Sequence, residues 1–199
     1  MSPDEARTLL IEAARRDSEM RTRLAADGSL FQGYHPEMEA VHLDNARLLE
    51  WVIDEIGWPG RSKVQDDGAG AAFIILQHAI SRPDLQRRGL TLLMDAIAAG
   101  DANALDAAYL ADRIASFEDR PQVFGTQFDW DENGQLSPRP VAEPQGLDER
   151  RASVGLPPMA ETIAAMRANA AAEGERAPSD LATRREAFET WARRVGWRA

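Results

Sequence analysis

The sequence predicts a mainly α-helical single domain that carries one small β-hairpin. Along most of the chain, apolar residues recur at intervals of three and four, the spacing of a helix face that packs on a core. Only the region around the dipeptide Asn133-Gly134 departs from this pattern, and that dipeptide is typical of hairpin turns. The chain has 199 residues, 44% of them hydrophobic, which is enough to bury one sizeable core.

The first half of the chain is predicted to form helices, several of which end at a glycine. A helix is predicted over residues 4–26, ending at Asp27-Gly28, and a loop over residues 30–36 leads to a second helix that Gly57 ends. Residues 69–80 form an apolar run with no polar side, which favours a central helix, with a buried strand as the alternative. Further helices are predicted from Pro83 to Gly100 and over residues 103–117.

The second half changes character at residue 122. Residues 122–128 and 135–141 are the predicted arms of the hairpin, placed at about 122–141, and a connector over 143–158 contains one helical turn at 148–153. Helices over 158–172 and 179–195 close the chain. We therefore predict a core domain over 1–172, and a linker with a C-terminal amphipathic helix over 173–199 that packs on the core or on a partner.

Composition excludes several classes of protein. The net charge of -10 and pI near 4.8 oppose nucleic-acid binding, which needs a basic surface. A mean hydropathy of -0.43, without an apolar run of about 20 residues, opposes a membrane span. The chain has no cysteine, so disulfides and thiolate metal sites are excluded. The N-terminus lacks the apolar region of a secretion signal, so we expect a cytoplasmic protein.

One candidate for chemistry is the end of the apolar helix, where Gln77 and His78 lie. Unpaired carbonyls at a helix end favour a protonated imidazole, so His78 is a candidate general acid or base. The alternative is that His78 simply satisfies the helix end by hydrogen bonding. Trp58, fixed by the turn that Pro59 and Gly60 form, is a candidate substrate contact.

A second candidate is a polar stripe on the helix over 103–117. Tyr109, Asp112, Arg113 and Ser116 share one face, where a carboxylate orients an imidazole and a guanidinium clamps an anion. The alternative is that Arg113 pairs with a surface acid. Gln127, in the first hairpin arm, adds an amide that positions a substrate.

Metal-ligand spacings in the sequence are incomplete. His35, Glu39 and His42 have the spacing of one helix face, but Pro36 places His35 before the helix. A partial calcium-loop pattern that begins at Asp129 ends in Pro140, where a bidentate acid is required. We therefore predict no metal and no cofactor.

Several short motifs occur in a fixed order: GWPGRS at residues 57–62, QHA at 77–79, YLADR at 109–113, PQVFGTQ at 121–127 and VGLPP at 154–158. Over residues 36–166 the chain resembles a bacterial family of unknown function that carries these motifs. The resemblance implies that His78, Asp112, Arg113 and Gln127 belong to one signature and share a pocket. Two positions depart from the family: Phe124 stands in place of a tyrosine, and His42 in place of an acid.

Two functional hypotheses follow. The first is a metal-independent hydrolase or group transferase acting on a small polar or anionic substrate, with His78 as acid or base, Asp112 as the group that orients it or binds substrate, Arg113 as anion clamp and Gln127 as positioning amide. The second is a non-catalytic interaction module in which the same residues form a structural polar network. Its protein partner, or a second copy of the chain, would bind through the C-terminal helix.

Overall fold

The computed structural model describes residues 1–31 and 33–199, which fall into two compact units, Met1–Asn103 and Ala104–Ala199. Unit 1 contains α1 (Pro3–Ala26), α2 (Pro36–Ile56), α3 (Arg61–His78) and α4 (Pro83–Ala98). Unit 2 contains α5 (Ala104–Phe117), β1 (Phe128–Trp130), β2 (Leu136–Pro138), α6 (Leu147–Ser153), α7 (Met159–Ala172) and α8 (Leu181–Val195). The predicted fold class, mainly helical with one two-stranded antiparallel hairpin, is confirmed.

The division of the chain at residue 172 stays a prediction. The predicted loop over residues 30–36 includes Gln32, which lies outside the described residues. None of the described helices combines the length and the apolar character needed to cross a membrane.

Helix α1 begins at a capping box. The Ser2 hydroxyl accepts a hydrogen bond from the Glu5 N–H at 3.2 Å, and the Glu5 carboxylate accepts one from the Ser2 N–H at 2.8 Å. The helix packs against α2 and α3 along a buried stripe that includes Leu10, Ala13 and Leu24. This stripe forms part of the core of unit 1.

Helix α3 differs from the prediction at both ends. It begins at Arg61 and not at residue 69, has a kink at Gln65 (φ 61°, ψ 177°), and ends at His78. A residue distant in the sequence stabilises the earlier start: the Asp101 carboxylate accepts hydrogen bonds from the Ser62 N–H (2.6 Å) and hydroxyl (2.9 Å) in the first turn. Toward its other end, α3 lies close to α4 at Gly89, where a Cβ would come within 2.5 Å of a Leu76 methyl.

The hairpin of unit 2 is shorter than predicted. Trp130 pairs with Leu136 and Phe128 with Pro138, so the strands span three residues each. Before Phe128 the predicted arm over residues 122–128 is not a continuous strand, because the N–H groups of Val123, Phe124 and Thr126 bind a side chain of α5. At its start, Gln122 forms an isolated bridge with Val141.

The aromatic side of α8 packs within unit 2. The ring of Phe117, at the end of α5, lies 5.8 Å from Phe188, 5.6 Å from Trp191 and 5.1 Å from Trp197, between centroids. Arg198 donates hydrogen bonds to the carbonyls of Phe117 and Ser116. The C-terminal helix therefore uses its apolar stripe inside unit 2, and binding of a partner through this helix stays a prediction.

Candidate functional site

Three polar side chains from three helices of unit 1 meet at the C-terminal end of α3. Asp17 lies on α1, His42 on α2, and His78 is the last residue of α3. The Asp17 Oδ2 atom is 2.9 Å from His78 Nδ1, with which it forms a hydrogen bond, and 3.2 Å from His42 Nε2. One ligand atom from each residue lies within 4.8 Å of the other two. We call these three residues the Asp17 cluster.

The burial of the Asp17 cluster is uneven. The side chain of Asp17 is 3% exposed and that of His42 is 10% exposed, whereas that of His78 is 31% exposed. The two imidazole rings lie 5.1 Å apart between centroids. Solvent and small molecules therefore reach the Asp17 cluster at His78.

Helix periodicity explains why Asp17 and His42 point inward. Asp17 continues the buried stripe of α1 seven residues after Leu10 and seven before Leu24, and His42 lies on the buried stripe of α2 with Met38 and Leu49. A charged residue at a core position is the sequence signal that identifies Asp17, which we had not selected.

A second layer of polar groups surrounds His42. The Tyr34 hydroxyl lies 2.7 Å from His42 Nδ1, and the Ser81 hydroxyl donates a hydrogen bond to the Glu39 carboxylate at 2.6 Å. Burial, and next the negative charge of Glu39, raise the pKa of Tyr34 well above its usual range. The Tyr34 hydroxyl therefore keeps its proton and fixes the orientation of the His42 ring.

The two imidazoles determine the charge state of Asp17. Burial by itself raises the pKa of Asp17, but the two imidazoles of His42 and His78 that face its carboxylate outweigh burial, so its pKa lies well below the usual range. Asp17 is therefore a carboxylate at neutral pH.

The end of α3 is not left unpaired as we expected. Gln86, which is fully buried on α4, donates hydrogen bonds to the carbonyls of Leu76 (2.9 Å) and Gln77 (3.0 Å). The Ile80 N–H donates to the carbonyl of His78 at 2.7 Å. These carbonyls are therefore paired and not free as expected, and the group that contacts the His78 ring is Asp17.

The predicted site residue Asp112 has a different environment in unit 2. Its carboxylate is fully buried and accepts hydrogen bonds from the N–H groups of Val123 (2.8 Å), Phe124 (3.0 Å) and Thr126 (2.9 Å), and from the Thr126 hydroxyl (3.0 Å). These four donors attach the loop before β1 to α5. The carboxylate that is hydrogen-bonded to His78 is Asp17, whereas Asp112 binds the loop of its own unit. The catalytic role that we predicted for Asp112 stays a prediction.

Two further buried residues of unit 2 hold the same loop, and we had not selected either of them. The Gln122 side chain donates to the carbonyls of Gln127 and Arg139 and accepts from the Gln127 N–H. The guanidinium of Arg151, a residue only 1% exposed, donates a hydrogen bond to the Phe124 carbonyl. It also donates to the Pro157 carbonyl and to the Thr162 hydroxyl. In the sequence, Gln122 lies within the motif PQVFGTQ and Arg151 lies three residues before the motif VGLPP.

The remaining predicted residues of unit 2 lie on or near this network. The Gln127 amide donates to the Thr126 hydroxyl at 3.1 Å, and Tyr109 lies on α5, the helix that carries Asp112. Burial lowers the pKa of Arg113 to about 10. Their substrate-binding roles, and that of Arg113 as an anion clamp, stay predictions.

The predicted site residues are thus divided between the units. Gln77, His78 and Trp58 belong to unit 1, and Trp58 is 8% exposed, so little of it is available to a ligand. The convergence of the residues of both units on one pocket stays a prediction. The metal-ligand set His35, Glu39 and His42, which we considered from its spacing, is not formed among the described residues. His35 Nδ1 accepts a hydrogen bond from the Glu37 N–H as a helix cap, and His42 faces Asp17.

The fold and the site define a mainly helical protein with a buried His–Asp–His cluster in one unit and a loop-anchoring polar network in the other. Residues 12–173 match the model of the family of unknown function DUF6624, and the chain belongs to that family. The resemblance inferred from the motifs is therefore confirmed. No curated protein and no solved structure matches the chain significantly.

Proposed function

We propose that the chain is a hydrolase or group transferase that acts on a small polar substrate, with its reaction centre at the Asp17 cluster. The observation that carries this proposal is the 2.9 Å hydrogen bond between His78 Nδ1 and Asp17, which joins a fully buried carboxylate to a partly exposed imidazole. A buried carboxylate that orients a reachable imidazole is a recurrent element of catalytic sites.

Two kinds of chemistry suit this arrangement, and both place His78 at the reaction centre. In proton transfer, which the sequence predicts without a metal, Asp17 fixes the ring through Nδ1 and the other nitrogen faces the substrate. In metal-assisted hydrolysis, the three residues of the cluster would hold an ion, which would supply Lewis-acid activation of a water molecule. Both lead to attack on a carbonyl or phosphoryl group.

The test is a screen of the purified chain against chromogenic esters, phosphoesters, amides and glycosides, repeated with His78→Gln and Asp17→Asn. We expect any turnover of the wild-type chain to fall more than about 100-fold in both variants. His35→Asn is the matched control, since Asn also caps a helix and His35 lies outside the Asp17 cluster. Turnover that persists in His78→Gln would refute the proposal.

The structure also favours a second candidate function, a non-catalytic module organised by the network of unit 2. The observation in its favour is that the Asp112 carboxylate is fully buried and binds four donors, as expected of a structural anchor. In this case, pull-down with the intact chain identifies a protein partner. Substitutions at Asp112 then reduce stability without an equal loss of binding to that partner. Absence of any partner, together with His78-dependent turnover, would exclude it.

A further inference from the structure

The Asp17 cluster has the donor set of a transition-metal site. It offers two imidazole nitrogens and one carboxylate oxygen, one from each of three helices, all within 4.8 Å of one another. Two imidazoles and one carboxylate are a combination that proteins use for zinc and for non-haem iron. Such a set leaves coordination positions open for water or substrate, and the exposed side of His78 is where they would lie.

The two distances from Asp17 are close to those of a metal site. A metal bound at about 2.0–2.1 Å by tetrahedral ligands separates neighbouring ligand atoms by about 3.3 Å. Asp17 Oδ2 lies 2.9 Å from His78 Nδ1 and 3.2 Å from His42 Nε2. For these two pairs, shifts of a few tenths of an ångström make room for the ion, and the two imidazole nitrogens lie within 4.8 Å of each other.

An independent observation at His42 points to a ligand. Its Nε2 atom is buried and makes no hydrogen bond with any described residue, although it lies 3.2 Å from Asp17 Oδ2. His42 is 8% exposed, so water does not readily serve this atom. A buried nitrogen that faces a carboxylate without a hydrogen bond needs another partner.

The opposite side of the His42 ring is held as in metal sites. Ligating histidines usually bind a polar group through their other nitrogen, which fixes the ring and its tautomer. Here Nδ1 lies 2.7 Å from the Tyr34 hydroxyl. With the proton of the ring on Nδ1, the lone pair of Nε2 faces Asp17 and His78, where a cation relieves the repulsion from the carboxylate.

We propose that Asp17 Oδ2, His42 Nε2 and His78 Nδ1 bind one divalent transition-metal ion of the zinc type. This proposal rests on the proposed function, because the ion would be the cofactor of the same reaction centre. It also replaces the metal-independent chemistry that we expected from the sequence. A donor set with two nitrogens selects such ions over Mg²⁺ and Ca²⁺, which prefer oxygen ligands.

The experiment is calorimetric titration of the tag-free, chelator-treated full chain with Zn²⁺, and with Mg²⁺ in parallel. Co²⁺ is added as an optical probe, with absorption between about 500 and 650 nm reporting a low-coordinate site. We expect one Zn²⁺ per chain, and binding more than about 100-fold weaker in His42→Phe, which keeps a ring but removes the donor. Tyr34→Phe, which removes only the supporting hydroxyl, weakens binding by about 10-fold.

The controls separate this inference from folding and from the proposed function. Circular dichroism establishes that each variant is folded, and His78→Gln, at a partly exposed position, provides a second ligand deletion if His42→Phe does not fold. His35→Asn leaves Zn²⁺ affinity unchanged. Absence of stoichiometric Zn²⁺ binding, equal binding in His78→Gln, or binding only of Mg²⁺ would overturn the inference.

Binding and turnover give independent outcomes. A chain that binds no Zn²⁺ but loses turnover in His78→Gln retains the proposed function and refutes the metal site. A chain that binds Zn²⁺ through the cluster, with turnover unaffected by His78→Gln, keeps the metal site and refutes the proposed function.

Discussion

Asp112→Asn is expected to destabilise unit 2 strongly, although the two side chains have nearly the same shape. The carboxylate accepts hydrogen bonds from three backbone N–H groups and one hydroxyl while fully buried. An asparagine keeps one acceptor oxygen and turns an NH₂ group toward N–H donors. Donors that face this group lose their partner and gain no access to water.

The size of the effect follows from the number of bonds involved. Hydrogen bonds to a charged group contribute about 1.5–3 kcal/mol each, and disrupting a buried charged network costs about 3–5 kcal/mol. We expect a loss of about 3–5 kcal/mol in the free energy of unfolding, or a fall in Tm of about 8–15 °C for a chain of this length.

The assay for Asp112→Asn is urea unfolding followed by circular dichroism, together with amide hydrogen exchange of residues 123–126. Exchange should accelerate first in this loop, because its N–H groups lose their acceptor. Glu186→Gln is the matched control, since it removes one carboxylate charge from an exposed position of α8. A loss below about 1 kcal/mol with unchanged exchange would refute the anchoring role.

The other predictions concern one residue each. Arg151→Lys should cost about 2–4 kcal/mol in urea unfolding, because an ammonium does not reproduce the fork that binds the loop carbonyls; an unchanged midpoint would contradict this. Hydrogen bonds from Gln135, Ser137 and Asn133 lower the pKa of Asp131, so its contribution to hairpin stability is present above about pH 3.9 and is lost as pH falls through the lowered value. An NMR pH titration of the Asp131 side-chain carboxyl carbon with a midpoint at or above about 3.9 would be inconsistent with that geometry. His78→Ala should reduce stability by at most about 1.5 kcal/mol, because water reaches this side chain; a loss above about 3 kcal/mol by the same unfolding assay would favour a structural role.

The helices could be predicted from the sequence because the information is local. Spacing of apolar residues, Pro36 and Pro83 at helix starts and Gly57 at a helix end placed α1, α2 and α4 to within a few residues. The start of α3 could not be predicted in this way. It depends on Asp101, which lies 39 residues from Ser62 in the sequence and is brought beside it only by the fold.

The candidate sites were predicted only in part, because the partners of the site residues are distant in the sequence or are backbone groups. His78 was found because it ends an apolar helix, but its partner Asp17 is 61 residues away, and its charge at a core position of α1 was the only local sign. Asp112 was selected from the polar stripe on its helix and from the motif YLADR, but the groups that its carboxylate binds could not be predicted. Its partners are backbone N–H groups, which every residue except proline carries, so no residue type in the sequence reveals them.

The central claim is that Asp17, His42 and His78 form the reaction centre and hold a metal ion there. Anomalous diffraction at the zinc edge, from crystals of the chain grown with Zn²⁺, tests this claim most directly. We predict one peak within about 2.0–2.2 Å of Asp17 Oδ2, His42 Nε2 and His78 Nδ1. A fully occupied zinc peak elsewhere, with the three side chains still bound only to one another, would contradict it.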